Sequence, residues 1–230
     1  MRLRFRAFRA INDFNTCKRF MEGHQNVLKE YGITNITSNN DSWMYNPNMY
    51  CVVAESVSDE EVVGGVRIQL SDEKTLLPVE SAIGKMDRRI HDIVKSFRDS
   101  GGVGELCALW NSKSVAGMGI SILLTRAGIS VTNQFEIKTL MGICADYTLK
   151  MFKKVGFQVD YSLGVNGEFA YPNEDYTARV LGIMNAESLE NAETYDKERM
   201  QSLRSTPVQT FLENETQKEL EIEYNLVIKL

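Results

Sequence analysis

The chain has 230 residues, of which 43% are hydrophobic and 25% are charged. This composition is typical of a folded protein with a sizeable core, and it excludes a disordered or fibrous chain. The formal net charge of −5 argues against a nucleic-acid partner, because nucleic-acid-binding domains usually carry a basic surface. The sequence has no apolar run of the roughly 18 residues that a membrane span needs, and no apolar segment of a signal peptide. We therefore expect a cytoplasmic protein without a membrane span.

The charge is unevenly distributed. From Glu187 onward the chain carries ten acidic and five basic residues, so this stretch accounts for the whole net charge and residues 1–186 are neutral. We therefore predict a main domain over residues 1–186 and an acidic C-terminal extension over residues 187–230. The extension is predicted to contain an exposed helix at 187–205 and an alternating strand at 220–230. That strand would pair with another sheet edge or with a second copy of the chain in a homodimer.

The N-terminal third of the chain begins with nine residues that alternate between apolar and basic, the period of a half-buried strand. A nucleic-acid-binding arm is the alternative interpretation of this run. Helical spacing follows over residues 12–30, and then a polar stretch at 34–48 that is typical of a loop. Two β-branched runs, 50–55 and 62–70, are separated by a short acidic segment and predict a hairpin.

The middle of the chain alternates between helical and strand patterns. Helices are predicted at 79–98, 120–129 and 147–154, and strands at 105–110, 137–145 and 157–161. Together with the N-terminal elements, this order predicts a mixed α/β fold.

Cysteine and histidine positions predict no metal site. The four cysteines include no C-x-x-C pair, which argues against a disulfide framework or a zinc site. Cys107 and Cys144 lie in apolar runs, so we expect them in the core and not as nucleophiles. His24 and His91 fall in separate predicted helices, and we expect surface or packing roles for both.

A turn between a predicted strand and an apolar helix is the most informative segment. It contains Gly117 and Gly119, which allow the backbone to approach an anion closely, and it leads into the free N–H groups at the start of the helix. This is the arrangement of a phosphate or pyrophosphate site, to which Lys113, Ser114 and Ser121 would add donors. A structural turn that needs glycines for its shape is the alternative.

The segment that begins here resembles the acyl-CoA-binding core of the GNAT acyltransferase superfamily. In that core a strand precedes [QR]-x-x-G-x-[GA] at a helix start, followed by an apolar strand, a second helix and a Gly-Phe pair. These parts correspond here to residues 106–110, 114–119, 137–145, 147–154 and 156–157. The resemblance implies a mixed, largely antiparallel central sheet flanked by helices, with acyl-CoA or another acyl thioester as donor. It also implies that the donor is bound by Leu109, Trp110, Lys113, Ser114, Val115, Ala116, Gly117, Met118 and Gly119.

Two positions depart from the superfamily pattern. Ser114 stands where the pattern has Gln or Arg, so pyrophosphate contact would depend more on backbone amides. Phe152 stands where a tyrosine often acts as the general acid, and it has no proton to give. Tyr147 lies five residues earlier, away from that helix face, and is a weak substitute.

A narrower resemblance points to the long-chain branch of the superfamily, which contains the autoinducer (acyl-homoserine lactone) synthases and the N-acyl amino acid synthases. The shared features are Arg67 in a glycine-rich strand, a Leu-Pro turn at 77–78, and Glu105 at the start of the next strand. Ala108 replaces an arginine that this branch has in that strand. The resemblance implies acyl carrier protein as a possible donor and partner.

The resemblance also implies direct attack of an amine on the thioester. Glu105 is the candidate base, and backbone N–H groups near Leu109 and Trp110 are candidates for stabilising the oxyanion. Arg67 would bind an acceptor carboxylate. The alternatives are a solvated strand end for Glu105 and a surface ion pair for Arg67. We thus predict an N-acyltransferase with a small-molecule amine acceptor, such as an amino acid. The alternative is a catalytically inactive GNAT-fold binding or regulatory protein.

Overall fold

The computed structural model describes residues 1–33, 41–214 and 219–229. The strands are β1 (Arg2–Arg9), β2 (Met49–Ser56), β3 (Val62–Leu70), β4 (Val103–Asn111), β5 (Thr139–Ala145), β6 (Gln158–Val159), β7 (Phe169–Ala170), β8 (Thr177–Ile183), β9 (Val208–Glu213) and β10 (Leu220–Asn225). The helices are α1 (Phe14–Glu30), α2 (Pro78–Ile83), α3 (Arg89–Asp99), α4 (Ile120–Ser130), α5 (Leu149–Lys154) and α6 (Thr194–Ser205). Short 3₁₀ turns connect several of these elements.

The strands form one mixed sheet in the order β6-β8-β5-β4-β3-β2-β1-β10-β9, with β7 also paired to β8. All the pairings are antiparallel except β1 with β10 and β4 with β5. This is the mixed, largely antiparallel α/β arrangement predicted from the sequence, and that prediction is confirmed. Within the described residues, no helix has both the length and the apolar character of a membrane span.

Strands β4 and β5 separate partway along their length. Their pairing covers only Val103 to Glu105 against Thr139 to Met141. On the other side of β4, the register with β3 shifts between Gly65 and Arg67, and Ala108 has a positive φ of 50°. The register places one more residue on β4 than on β3 in this interval, which is a β-bulge. The sheet is therefore open between β4 and β5 beyond Glu105.

Most of the predicted elements are present, with differences at several places. The helix predicted at 79–98 is two helices, because the chain turns after Ile83 and Asp87 accepts hydrogen bonds from the N–H groups of Arg89 (3.1 Å) and Gly164 (2.9 Å). The strand predicted at 157–161 is reduced to β6. Part of the loop predicted at 34–48, residues 34–40, lies outside the described residues.

The C-terminal segment adds α6, β9 and β10 to the β1 side of the sheet. The predicted terminal strand is β10, and it pairs with β1 of the same chain. The prediction that the helix is exposed is wrong for α6, since Asp196, Arg199, Met200 and Leu203 are buried. Asp196 forms a buried ion pair with Arg126 of α4, at 2.6 Å. The domain boundary at residue 186 remains a prediction.

Candidate active site

The opening between β4 and β5 contains a cavity of about 210 Å³. Glu105 lies at the last position of β4 that pairs with β5, and Leu109 follows on the same strand, within the bulge. The cavity is lined mainly by apolar and aromatic side chains, with Phe152 of α5 among them. Small-molecule sites are typically apolar cavities that contain a few polar groups, and this cavity has that character.

Glu105 is the one carboxyl group among the described residues that line this cavity, and it is completely buried. Its Oε2 accepts a hydrogen bond of 2.7 Å from the backbone N–H of Val79, in the first turn of α2. Its Oε1 has no hydrogen-bond partner among the described residues. Burial raises the pKa of Glu105 to about 8, even though Val79 and Arg67 favour the charged form. The alternative interpretation of Glu105 as a solvated strand end is therefore wrong.

Arg67 is also buried, with 1% of its surface exposed. The β3–β4 register places Arg67 opposite Cys107 and Gln69 opposite Glu105, so the four side chains share one face of the sheet. The Arg67 guanidinium carbon lies 4.4 Å from the centre of the Trp43 ring. The alternative interpretation of Arg67 as a surface strand residue is therefore wrong.

A second cavity, of about 230 Å³, lies against Arg67. Gln69 and Trp43 also line it, together with Ser42 and Ser81. Arg67 thus lies between this second cavity, which has several polar groups, and Glu105. The positive charge of Arg67 partly offsets the effect of burial on the pKa of Glu105. A buried guanidinium beside a polar cavity is suited to binding a carboxylate by a bidentate pair.

His24 is a residue of the Glu105 cavity that was not predicted as a site residue. It lies on α1, is buried, and lines the cavity together with Glu105. Burial, with a further contribution from the charge of Arg67, lowers the pKa of His24 to about 3, so its imidazole is neutral near pH 7. His24 is four residues after Phe20 on the buried face of α1, and that spacing was the only indication in the sequence that it faces inward. His91, by contrast, is more exposed, and its Nδ1 lies 2.9 Å from Glu80 Oε1.

The glycine-containing turn lies beside a third cavity, of about 440 Å³. Gly117 and Gly119 have positive φ angles of 72° and 75°, which the left-handed backbone of this turn requires. Helix α4 begins at Ile120, directly after Gly119, so its free N–H groups are at the cavity. The opposite wall comes from α5 and includes Lys150 and Lys154. These two lysines were not predicted as site residues, because their relation to the turn arises only in the folded chain.

The structure brings together only some of the predicted donor-binding residues. Val115, Gly117 and Gly119 line the third cavity, and Leu109 lines the Glu105 cavity. Lys113 instead forms an ion pair with Glu30 of α1 at 3.2 Å. Trp110 packs edge-on against Phe20, and Met118 packs against the main core. The two remaining predicted members, Ser114 and Ala116, are exposed on the turn.

Tyr147 lies between the Glu105 cavity and the cavity at the glycine-containing turn. It lies in the turn before α5 and lines both the Glu105 cavity and the cavity at the glycine turn. Its side chain is largely exposed at the mouth of the cavities. Partial desolvation of the phenol, with smaller contributions from Tyr31 and Tyr176, raises its pKa above the usual value. Phe152 is buried and packs edge-on against Phe157, with ring centres 5.3 Å apart. A hydroxyl is therefore available at the junction from Tyr147 and not from Phe152.

The architecture defines the GNAT acyltransferase fold, as the sequence resemblance predicted. An N-acyl amino acid synthase from uncultured soil microbes, FeeM, matches with a TM-score of 0.61 and 12% identity, over 85% of this chain and 97% of that one. A CoA-dependent acyl-homoserine lactone synthase, BjaI, solved with SAM and isopentyl-CoA, matches with a TM-score of 0.55 and 12% identity, over 96% and 95%. An acyl-CoA N-acyltransferase from Pseudomonas aeruginosa matches with a TM-score of 0.54 and 11% identity, over 78% and 98%.

No protein-family model matches the chain, and no curated protein sequence matches it either. The similarity to known proteins is therefore one of fold, and the chemistry has to be argued from the residues of the site.

Proposed function

We propose that the protein is an N-acyltransferase that moves an acyl group from an acyl thioester to an amine. The observation that carries this proposal is the position of Glu105, a fully buried carboxyl group with one oxygen unpartnered among the described residues, inside the opening between β4 and β5. A buried polar group without a partner is costly to a folded protein, so such groups often mark functional sites. The names of the structural neighbours, FeeM and BjaI among them, support the same chemistry.

The donor would bind at the third cavity with its diphosphate on the N-terminus of α4. The backbone N–H groups after Gly119 and the ammonium groups of Lys150 and Lys154 supply a positive site of this kind. Coenzyme A is the simplest donor for such a site. A thioester of acyl carrier protein is the alternative, in which the same positive groups would hold the phosphate of its prosthetic arm.

The thioester would then enter the opening of the sheet near Leu109. Because β5 no longer pairs with β4 there, backbone N–H groups of this part of β4 that face the opening are available to the carbonyl oxygen as it becomes negatively charged. The amine attacks the carbonyl carbon, a carbon–nitrogen bond forms, and the carbon–sulfur bond breaks. The proton lost by the amine goes to Glu105 in its carboxylate form. Because burial raises the pKa of Glu105 to about 8, this form increases as the pH rises towards 8, and turnover should rise with it. The thiolate takes a proton for which we propose Tyr147 as the source.

The acceptor would be an amine that carries a carboxylate, such as an amino acid. Arg67 is held against Trp43 and lines the second cavity, Glu105 lines the first, and Pro78 lines both. The acceptor would therefore span the junction of the two cavities at Pro78. The carboxylate would bind the guanidinium of Arg67, and the amine would approach Glu105. This arrangement favours amino-acid-like acceptors over simple alkylamines.

The test is an assay of thiol release from acyl-CoA and acyl carrier protein thioesters across a panel of amines, with each amino acid paired with its decarboxylated analogue. The proposal predicts turnover with at least one donor, and faster turnover with the amino acid than with the analogue. Saturable donor binding without turnover on any amine would favour the inactive binding protein instead. Failure to bind any thioester would contradict both.

A further inference from the structure

Strand β9 forms one end of the sheet in the described part of the chain, and its outer edge is open. The opposite end consists of β6 and β7, which are only two residues long each. Very short edge strands are one of the ways in which proteins prevent edge-to-edge pairing, along with charged residues and proline within the edge. Strand β9 has six residues, and residues 208–212, Val-Gln-Thr-Phe-Leu, include neither a charge nor a proline.

The two faces of β9 have different environments. Its inner face is held by α6, since Gln209 Nε2 donates to the carbonyl of Ser202 at 3.1 Å and Glu213 accepts from Arg199 at 2.8 Å. Its outer face carries Val208, Thr210 and Leu212, which are all exposed, the two apolar ones by 60% and 47%. The strand is thus anchored on its inner face, and its outer face carries two exposed apolar side chains and no charge over residues 208–212.

The sequence of β9 is complementary to itself in one antiparallel register. If Thr210 lies opposite Thr210 of the partner subunit, then Val208 faces Leu212 of the partner subunit, and the reverse pair is equivalent by two-fold symmetry. Both exposed apolar residues would then be covered by apolar residues, and a threonine pair, a favourable cross-strand combination, would lie at the centre. In this register, the paired residues are the uncharged segment 208–212, and Glu213 lies outside the paired segment.

The neighbouring strand does not oppose this pairing. The glutamates on the exposed face of β10, Glu221 and Glu223, are already paired with Arg2 and Arg4 of β1, at distances of 2.6–3.2 Å. These ion pairs neutralise the two glutamates within one subunit, so their charges do not repel a second subunit at the β9 edge. We propose that two copies of this chain form a dimer by antiparallel pairing of their β9 strands, centred on Thr210, which makes one continuous sheet across both subunits. This proposal is independent of the acyltransferase activity.

The first test is the mass of the protein in solution, measured by light scattering over about a hundredfold range of concentration. The unmodified chain is expected to be dimeric, and the double variant Val208→Lys/Leu212→Lys is expected to dissociate at least about tenfold more readily, because it places like charges at the edge. The matched control is Tyr161→Lys/Val165→Lys, which adds the same charges at two exposed residues far from β9 in the sheet order and should remain dimeric. Circular dichroism checks that each variant is folded.

The second test fixes the register. A Thr210→Cys variant should form a disulfide-linked dimer on mild oxidation, because opposite residues of an antiparallel pair have Cα atoms about 4.5–5.5 Å apart, which a disulfide spans. Val208→Cys should not, since it faces Leu212 of the partner subunit, and the four native cysteines are buried and do not interfere. A monomer at every concentration, a dimer that survives the lysine substitutions, or equal cross-linking of the two cysteine variants would each overturn the proposal.

Discussion

The carboxyl group of Glu105 accepts a hydrogen bond of 2.7 Å from the backbone N–H of Val79, which ties the middle of the sheet to the first turn of α2. This contact orients one oxygen of the carboxyl group and leaves the other directed away from it. The turn itself is held by Glu80, whose Oε2 accepts from the N–H of Leu77 at 2.8 Å. The position of the proposed base, Glu105, is therefore set by the Leu-Pro turn between β3 and α2, which the buried carboxyl group of Glu80 holds in place.

Replacing Glu105 with glutamine should remove most of the acyl-transfer activity. Glutamine keeps the shape of the side chain and an oxygen for the Val79 N–H, but it cannot take a proton from the amine. General-base catalysis typically contributes about 10²–10⁴-fold, so we expect kcat to fall by about that factor. Donor affinity, measured by calorimetry with a non-hydrolysable acyl-CoA analogue, should be nearly unchanged. Wild-type turnover in the variant would exclude Glu105 as the base.

The same carboxyl group should make the stability of the protein depend on pH. Burial raises the pKa of Glu105 to about 8 in the folded state, so the folded chain binds this proton more tightly than the unfolded chain does. The resulting stabilisation is complete below the unfolded pKa of about 4.5 and is lost as the pH rises towards 8. Removing the ionisation with Glu105→Gln should therefore raise the free energy of unfolding at pH 7 by on the order of 3 kcal/mol, with little effect at pH 4.

The effect of Glu105 is obtained as the difference in the free energy of unfolding between the Glu105→Gln variant and the parent protein at each pH. Burial lowers the pKa of His24 to about 3, so His24 favours the folded state above its unfolded pKa and destabilises it as the pH falls. Between about pH 4 and pH 7, the contributions of Glu105 and His24 to the free energy of unfolding therefore change in opposite directions with pH. Subtracting the values of the parent from those of the variant removes the contribution of His24 and leaves that of Glu105. Urea titrations at several pH values supply the data, and parallel curves for the two proteins would contradict the raised pKa.

The lysines of α5 should affect binding of the acyl donor more than the rate of the chemical step. Lys150 and Lys154 are four residues apart on one helix and both line the cavity at the glycine turn. The double variant Lys150→Ala/Lys154→Ala should raise KM for acyl-CoA by about tenfold with a smaller effect on kcat, because it removes charge that binds the ground state. Lys153→Ala is the matched control, since Lys153 lies on the same helix but lines a different surface depression. An equal effect of the control would place the diphosphate elsewhere.

Much of the site could be anticipated from the sequence, and the remainder depends on tertiary contacts. Glycine spacing and the apolar runs around it indicate the turn at 117–119, because those signals are local. The inward position of His24 and the approach of Lys150 to the turn depend on how α1 and α5 pack, which local periodicity does not encode. Strand β10 was predicted from its alternation, but its partner β1 lies more than 200 residues away in the chain, and alternation does not identify a partner.

The attachment of the C-terminal segment should depend on the ion pair between Arg126 and Asp196. Both side chains are almost completely buried and lie 2.6 Å apart, between α4 and α6. Asp196→Ala would leave the guanidinium of Arg126 in the interior without its carboxylate, which typically costs about 3–5 kcal/mol. We expect a loss of this size in urea unfolding, together with faster proteolysis of the segment that begins at α6. Asp99→Ala, which removes an exposed ion pair with Lys95, should change stability little, because exposed pairs are screened by water. If both variants unfold alike, then the buried pair does not hold α6 in place.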